Sequence, residues 1–417
     1  MSFLSAVLGD YLNDVWFELT FLIVVSIFAS FLFARFGQPR IIGYIVVGVI
    51  IGPSLLGIIV PPESTGAPTQ ELATGLPESI IMLAQLGAII LLFMIGLECD
   101  LKEIYTRMSI SIAIGGVVLP WVAGFFLGEA FGFTNSESIF IGATLVATSV
   151  AITASVISQL GLIGTRVAYA IVGAAVVDDV LGMIVLSITK GLTVTGHFDI
   201  GGIALIVVGA ALFVILGAWI GANFLSRAVF SVQISGFKRK LPMSGFVLAL
   251  AIAFLYAFVA ETIGITALVG AFVAGTAFSG SALRDGLRKG AQYMEALFVP
   301  IFFVSLGVAV NLTGIWDQIW FGLALTAVAM LTKIVGCGIP ARLTGMSPWD
   351  SPAVGIGMMP RLEIALVIAY YGLTSVPQII NSEVYSVVVF MGLMTAVFAP
   401  SVLRISLKQG GHAFVES

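Results

Sequence analysis

The feature that most constrains the fold is a series of apolar stretches, each about 18 residues or longer, along nearly the whole chain. Only 10% of the 417 residues are charged, whereas average soluble domains carry roughly 25%. The mean hydropathy is +1.13. A chain with so few charges cannot cover its own surface in water, which excludes a soluble enzyme, a nucleic-acid binder and a disordered protein. The sequence therefore predicts an all-α polytopic membrane protein.

Gly, Pro and charged residues divide the apolar stretches into about 13 predicted transmembrane helices. The predicted spans are 16–34, 41–60, 79–98, 109–131, 137–159, 166–188, 200–224, 243–261, 263–281, 292–310, 317–341, 351–371 and 383–403. The longest predicted connections are 61–78 and 227–242, and neither is long enough to fold alone.

The distribution of basic residues predicts the orientation. Most of the 18 Lys and Arg residues fall in the loops of one side, and Lys190 alone falls in a loop of the other. Because cytoplasmic loops carry the excess of basic residues, we expect a cytoplasmic C-terminus and an outer N-terminus. No targeting peptide is evident, which favours a multi-pass protein of the cell (inner) membrane.

Two polar interruptions suggest an inverted-topology repeat. Predicted helix 5 is interrupted at Ala147–Thr153, and predicted helix 12, seven spans later, at Gly355–Arg361. Paired interruptions are the best sequence indication of a transporter binding site. We predict one transporter unit over 1–417, with a first repeat at 16–188, a connecting helix at 200–224, an inverted second repeat at 243–403 and a short cytoplasmic tail at 404–417.

Charged residues inside the predicted spans are the strongest functional signal. Such a charge costs roughly 2.5–3.5 kcal/mol at the bilayer centre. The chain keeps several of them deep in its spans or at a helix interruption, namely Asp178, Asp179, Lys333, Arg361 and Glu363. Their formal charges sum to −1, which suits a site for one monovalent cation or a proton. Burying two carboxylates merely for packing is expensive.

The two aspartates have different predicted roles. Adjacent helical residues lie about 100° apart, so Asp178 and Asp179 cannot share one face. We expect Asp178 to pair with Lys333 and Asp179 to be the open ion ligand. The alternative is that both aspartates only hold the helices together.

Oxygen atoms at the helix 5 interruption complete the predicted site. The hydroxyls of Thr148, Ser149 and Thr153, with carbonyls freed by the interruption, suit hard cations such as Na⁺.

Three further charges have predicted roles around this site. Arg361 and Glu363, with Thr153 opposite, compensate the dipole ends of the broken helices. Glu98, at the cytoplasmic end of helix 3, is either a surface acid or a residue of the entry funnel.

The sequence resembles the second family of monovalent cation/proton antiporters, which includes NapA-type sodium/proton antiporters and Kef-type potassium efflux systems. The matching stretches keep the family order and are Leu91–Glu98, Ala147–Thr153, Val177–Val180, Thr332–Gly336 and Met359–Val367. The Asp178–Asp179 pair resembles the sodium/proton members. Leu362 departs from the Gly that the family commonly has between the Arg and Glu of helix 12.

The resemblance implies an inverted-repeat fold of 13 helices, like that of the NhaA and NapA antiporters. It also implies a homodimer and two crossing broken helices in a mobile core domain. It further implies that Asp179 binds the ion and the proton alternately while Lys333 pairs with Asp178.

The sequence therefore predicts a secondary active antiporter, not an enzyme, that exchanges Na⁺ or Li⁺ for protons by alternating access. Its expected partners are monovalent cations, protons and the lipid bilayer, with no nucleic acid and no cofactor. One alternative is a K⁺/H⁺ antiporter. Less favoured alternatives are a sodium-coupled symporter of organic anions, for which a core Lys–Asp pair has no obvious role, and a channel.

Overall fold

The computed structural model describes residues 15–36, 40–52, 55–56, 78–99, 106–190, 200–308, 315–361, 365, 368–369, 372–373 and 379–410. Every regular element in these ranges is a helix, which confirms the predicted all-α class. The α-helices are α1 Val15–Arg35, α2 Arg40–Ile51, α3 Glu78–Glu98, α4 Arg107–Ala130, α5 Asn135–Thr144, α6 Val150–Gln159, α7 Arg166–Lys190, α8 Ile200–Ile220, α9 Ser226–Lys238, α10 Ser244–Thr262, α11 Ala267–Phe278, α12 Arg284–Val308, α13 Ile319–Leu343, α14 Asp350–Gly357 and α15 Ser382–Gln409.

Nine helices of the described part are long and apolar enough to cross a membrane. They are α1, α3, α4, α7, α8 together with α9, α10, α12, α13 and α15. The other four predicted spans, 41–60, 137–159, 263–281 and 351–371, correspond to helices that are short or interrupted.

Two of these four spans were predicted too long. Helix α2 ends at Ile51, two residues before Pro53, because the proline ring disfavours helical conformation in the residue before it. Helix α11 begins only at Ala267, after a turn in which Gly264 has a φ of +83°. Both helices have 12 residues, which at 1.5 Å per residue is about 18 Å, well short of the hydrocarbon thickness of a bilayer.

The prediction of a loop at 227–242 is also wrong over most of this range. Helix α8 continues through a π-helical turn, Gly221–Leu225, into α9 and ends only at Lys238. The basic residues of this segment are good helix formers, and the first helix-breaking proline is Pro242. The connecting helix predicted at 200–224 is therefore longer than expected.

The helices pack in two groups. The first, which we call the scaffold bundle, contains α1, α2, α3, α10, α11 and α12, with α3 packed along both α11 and α12. The second, which we call the charged bundle, contains α4, α5, α6, α7, α13, α14 and α15, with α4 packed along α13. Helix α8 contacts both bundles, through α7 and α11.

Glycines allow very close helix crossings in both bundles. In the scaffold bundle, a Cβ on Gly96 of α3 would collide with the backbone of α11 at Phe272 and Gly275. In the charged bundle, a Cβ on Gly115 of α4 would collide with the backbone of Gly336 in α13. Small residues at such crossings are the usual way in which helices associate tightly in lipid.

Candidate ion site at the crossing of two interrupted helices

The first helix interruption lies at Leu145–Ser149, between α5 and α6. It contacts the second interruption, which follows α14. The backbone N–H of Ser149 donates to the carbonyl oxygen of Pro360 at 2.7 Å, and the Thr148 hydroxyl donates to the carbonyl oxygen of Met358 at 3.2 Å. The two interruptions are thus in direct contact through the Thr148 hydroxyl and through backbone groups that an unbroken helix would have satisfied internally.

Thr153 lies one turn inside α6, so the interruption ends earlier than the predicted range at Ala147–Thr153. Its hydroxyl donates to the carbonyl oxygen of Gly357, the last residue of α14. Thr148 and Thr153 therefore both satisfy carbonyls at the C-terminal end of a half-helix. Each hydroxyl gives its proton to a carbonyl, and its oxygen keeps acceptor capacity for a cation.

Asp178 and Lys333 form a fully buried ion pair. The Lys333 Nζ of α13 lies 2.9 Å from Asp178 Oδ1 of α7, and both side chains are 0% exposed. The structure thus contains the expected pairing of these two residues. Gly116 of α4 lies beside the ammonium group, where a larger side chain would press on Lys333 and on Cys337.

Asp179 faces a different neighbour from Asp178, as the angle between adjacent helical residues requires. Its side chain is 2% exposed. Its Oδ2 accepts a hydrogen bond of 2.8 Å from the Thr266 hydroxyl, which lies at the start of α11 in the scaffold bundle. Thr266 is not recognisable as a site residue from the sequence, because a threonine before an apolar run indicates only a helix N-cap. No sequence pattern places it beside Asp179.

Arg361 is fully buried just after Pro360. Its Nη2 donates to the carbonyl oxygen of Ala329, one turn before Lys333 on α13, at 2.9 Å. Its backbone N–H donates to the Thr395 hydroxyl of α15 at 3.1 Å. Glu363, its predicted partner in charge compensation, and Leu362 lie outside the described residues. Arg361 thus adds a second buried cation to the region of the Asp178–Lys333 pair.

Glu98 lies at the end of α3, away from this crossing. It forms an ion pair of 2.8 Å with Arg288 of α12, and the exposed fractions of the two side chains are 12% and 45% respectively. Arg284 Nε donates to the neighbouring carbonyl of Leu97 at 2.9 Å. Glu98 lines two clefts of about 290 and 500 Å³, both shared with Arg284 of α12, and the larger one also with the end of α6. It is thus a paired acid at a cleft, and not an isolated surface residue.

Helix α7, which carries the buried carboxylate of Asp179 and the Asp178 half of the ion pair, packs against α5, α6 and α14, the helices that flank the two interruptions. Buried charge and interrupted backbone thus occur on neighbouring helices. These are features of an ion pathway, since charged groups within membrane helices mark such pathways and irregular backbone there lines functional cavities. The fold and site together define an integral, multi-pass membrane transporter.

Comparison with known proteins identifies the family. Residues 21–409 match the family model described as "Sodium/hydrogen exchanger, transmembrane", and the chain belongs to this family. The members of this family are transporters and not enzymes.

Two bacterial relatives match nearly the whole chain. The "Na(+)/H(+)-K(+) antiporter GerN" of Bacillus cereus is 34% identical over 394 residues, which cover 94% of this chain and 96% of the relative. The "Na(+)/H(+) antiporter" of Enterococcus hirae is 31% identical, with 94% and 97% covered.

A solved structure has a similar fold. The sodium proton antiporter MjNhaP1 from Methanocaldococcus jannaschii, determined by electron microscopy, matches with a TM-score of 0.70 at 16% identity and covers all of both chains. At this sequence identity, the match shows that the two proteins have a similar fold.

Proposed function

We propose that the protein is a secondary active antiporter that exchanges Na⁺ or Li⁺ for protons across the membrane. The observation that carries the proposal is the buried carboxylate of Asp179. It follows Asp178 of the buried ion pair on α7, a helix that packs against α5, α6 and α14, which flank the two interruptions. The family membership and the names of the relatives agree with this function.

The proposed mechanism is competition for one carboxylate. At high proton activity Asp179 is protonated, and at lower proton activity it is ionised and binds the cation, with oxygens of Thr148 and Ser149 on the first interruption as further ligands. Only a site that holds a cation or a proton moves readily between the two sides of the membrane, because an empty charged site is costly to move through a low-dielectric barrier. This rule couples the two ions without covalent chemistry or a bound cofactor.

The remaining charged residues have supporting roles in this proposal. The Asp178–Lys333 pair adjusts the charge beside Asp179, and loss of a proton from Lys333 on cation binding would make the exchange electrogenic. Arg361, Glu363 and Thr153 compensate the ends of the interrupted helices. Glu98 belongs to the funnel through which cations approach from the predicted cytoplasmic side.

We also propose the inverted repeat with 13 helices, and the packing supports it. Helices one to six would correspond to helices eight to thirteen. The two helices of 12 residues, α2 and α11, would then be equivalent, as would the two interrupted helices. Glycines recur at the same spacing in the two short helices, as Gly43 and Gly48 in α2 and as Gly270 and Gly275 in α11. The packing of α2 on α12 likewise matches the packing of α11 on α3.

The proposed organisation places the first repeat at 16–188, the second at 243–403 and a cytoplasmic tail at 404–417. The chain acts as a homodimer in the inner membrane, with its N-terminus outside and its C-terminus in the cytoplasm. Large apolar side chains on the outer faces of α1 and α8, such as Phe28, Phe31 and Trp219, are exposed and suit contact with lipid or a second protomer.

Exchange of K⁺ for protons is the second candidate. The observation that favours it is the similarity to the GerN relative, whose name includes potassium. The hydroxyl and carboxylate oxygens of the site serve either cation, so flux with the separate cations decides between them.

The test is proton flux in proteoliposomes that contain the purified protein, an imposed pH gradient and a pH-sensitive dye. We expect Na⁺ or Li⁺ to dissipate the gradient, and Asp179→Asn to abolish this response. A response to K⁺ alone would establish the second candidate. No response to any cation from folded wild-type protein would refute both and favour the symporter of organic anions.

A further inference from the structure

We infer that Thr266 is a positioning residue of the exchange, whose hydroxyl, carried by the scaffold bundle, holds the ionised carboxylate of Asp179 in the conformation described here. The inference rests on the proposed function, because it assigns a partner to the carboxylate that takes the cation and the proton in turn. It makes one contact between the two bundles part of the ion site.

The geometry gives the hydroxyl a defined direction. Thr266 is the N-cap of α11, and its Oγ1 accepts a hydrogen bond from the backbone N–H of Val269 at 3.4 Å. Its single proton is directed to Asp179 Oδ2, at 2.8 Å. A hydroxyl has one proton to give, so as donor to Asp179 it favours the carboxylate in its ionised form. The positive end of the α11 dipole acts in the same direction.

Three helices at this contact carry no charge. Helix α11 and the α6 and α8 helices that pack on α7 contain no titratable residue along their lengths. In the described part of the charged bundle, the other fully buried charged side chains are Asp178, Lys333 and Arg361, and the first two pair with each other. Loss of the Thr266 hydroxyl would therefore act on Asp179 without removing a charge.

A second contact between the bundles lies at the start of the other short helix. The backbone N–H of Arg40, the first residue of α2, donates to Gln159 Oε1 at the end of α6, at 3.1 Å. Each of the two 12-residue helices thus forms a hydrogen bond with the charged bundle at its N-terminal end. The contact at α2 binds a neutral amide, whereas the contact at α11 binds the ionisable carboxylate. Only the α11 contact can change in strength when the site is loaded.

This difference couples the state of Asp179, whether ionised, protonated or bound to a cation, to the conformation of the protein. In the described conformation the hydroxyl stabilises ionised Asp179, and a movement of the two bundles past each other would remove it. A group that binds one conformation better than the other shifts the equilibrium between them. The proton affinity of the site therefore differs between the two conformations, and Thr266 contributes to that difference.

The test compares Thr266→Val, which keeps the shape and removes the hydroxyl, with Thr266→Ser, which keeps the hydroxyl. Sodium-driven proton flux is measured in proteoliposomes over a pH series. For Thr266→Val we expect the pH of half-maximal exchange to rise by about one unit, equivalent to roughly tenfold tighter proton binding, since hydrogen bonds to charged groups are worth this much. The KM for Na⁺ at a fixed pH below this midpoint should rise more than the maximal rate falls. Thr266→Ser should follow the wild type.

A matched control separates this role from helix capping. Thr134 caps α5 through a capping box and lies on the exposed surface. Thr134→Val should lower the melting temperature and leave the pH profile and KM unchanged. Should Thr266→Val fail to fold, Thr266→Asp keeps a strong N-cap residue but places a second carboxylate at Asp179, and it should move the profile upward by more than one unit.

The inference is overturned when wild type and Thr266→Val share one pH profile and one KM, or when Thr266→Ser shifts the profile as far as Thr266→Val. Failure of the proposed function gives a different result, because the wild type itself would then show no cation-dependent proton flux.

Discussion

The two bundles pack through the same kind of glycine contact, but they bury different side chains. Glycine crossings bring helices into close contact in both, at Gly96 with Gly275 in the scaffold bundle and at Gly115 with Gly336 in the charged bundle. The charged bundle also buries four charged side chains, those of Asp178, Asp179, Lys333 and Arg361. Over its described residues, the scaffold bundle buries one charged side chain, that of Glu18.

This difference indicates that the charged bundle is the part of the molecule that is specialised for ions. An apolar bundle is stabilised by close packing alone, since lipid gives no hydrophobic drive for helices to associate. A bundle with buried charges needs an exact set of polar partners, because each unpartnered charge is costly. Substitutions that damage packing should therefore weaken either bundle, while substitutions of charge should act on the charged bundle most strongly.

The largest expected effect on stability is that of Lys333→Met. It leaves Asp178 buried without its cation, which should cost about 3–5 kcal/mol. Thermal unfolding of the purified protein in detergent measures the loss. The double variant Asp178→Asn with Lys333→Met removes both charges and should recover much of it. An unchanged melting temperature for Lys333→Met would show that the pair does not stabilise the charged bundle.

Gly96→Ala tests the scaffold bundle. The added Cβ meets the backbone of Phe272, which cannot move aside like a flexible side chain, so α3 and α11 must separate at a cost of about 1–3 kcal/mol. The matched control is Gly286→Ala in α12, where nothing lies within 4 Å of the added Cβ; removing a helical glycine there should be neutral or stabilising. Equal melting temperatures for the two variants would contradict the close crossing.

Thr153→Val tests the contact between the interrupted helices. The variant keeps the shape of the side chain and loses the hydrogen bond to the Gly357 carbonyl, which should cost about 1 kcal/mol. Thr153→Ser should keep most of the stability. The same unfolding assay applies, and a Thr153→Val protein as stable as the wild type would show that α14 does not depend on this hydroxyl.

The smallest expected effect is that of Glu98→Gln. Arg288 is 45% exposed, and ion pairs with such access to water are worth at most about 1 kcal/mol. The loss in melting temperature should be visible at low salt and shrink at high salt, because salt screens exposed charges. A large loss that is independent of salt would instead place this pair among the buried ones.

Much of the charged bundle was predictable because charge in a membrane helix is expensive and therefore informative. Asp178, Asp179 and Lys333 stand out by their depth in apolar runs. The angle between adjacent helical residues indicates that only one aspartate pairs with Lys333, and the family resemblance implies that it is Asp178, as the structure has it. The interruption near Thr148 was visible as a polar run in an apolar helix.

Other features depend on tertiary contacts that leave no local pattern. The contact of Thr266 with Asp179 joins residues 87 positions apart and looks like an ordinary N-cap in the sequence. The lengths of α2 and α11 were overestimated because apolar residues beyond a helix end resemble those within it. The continuation through Gly221–Leu225 into α9 is not visible in the sequence, because the basic residues that follow Leu225 resemble the charged end of a membrane helix.

The most direct test of the central claim is the affinity of the purified protein for Na⁺ as a function of pH. Competition at the carboxylate of Asp179 predicts that the apparent Kd for Na⁺ rises about tenfold for each unit by which the pH falls below the protonation midpoint of the site. It also predicts that Asp179→Asn has no measurable Na⁺ binding. A Kd that stays constant across this pH range would contradict exchange at a shared carboxylate.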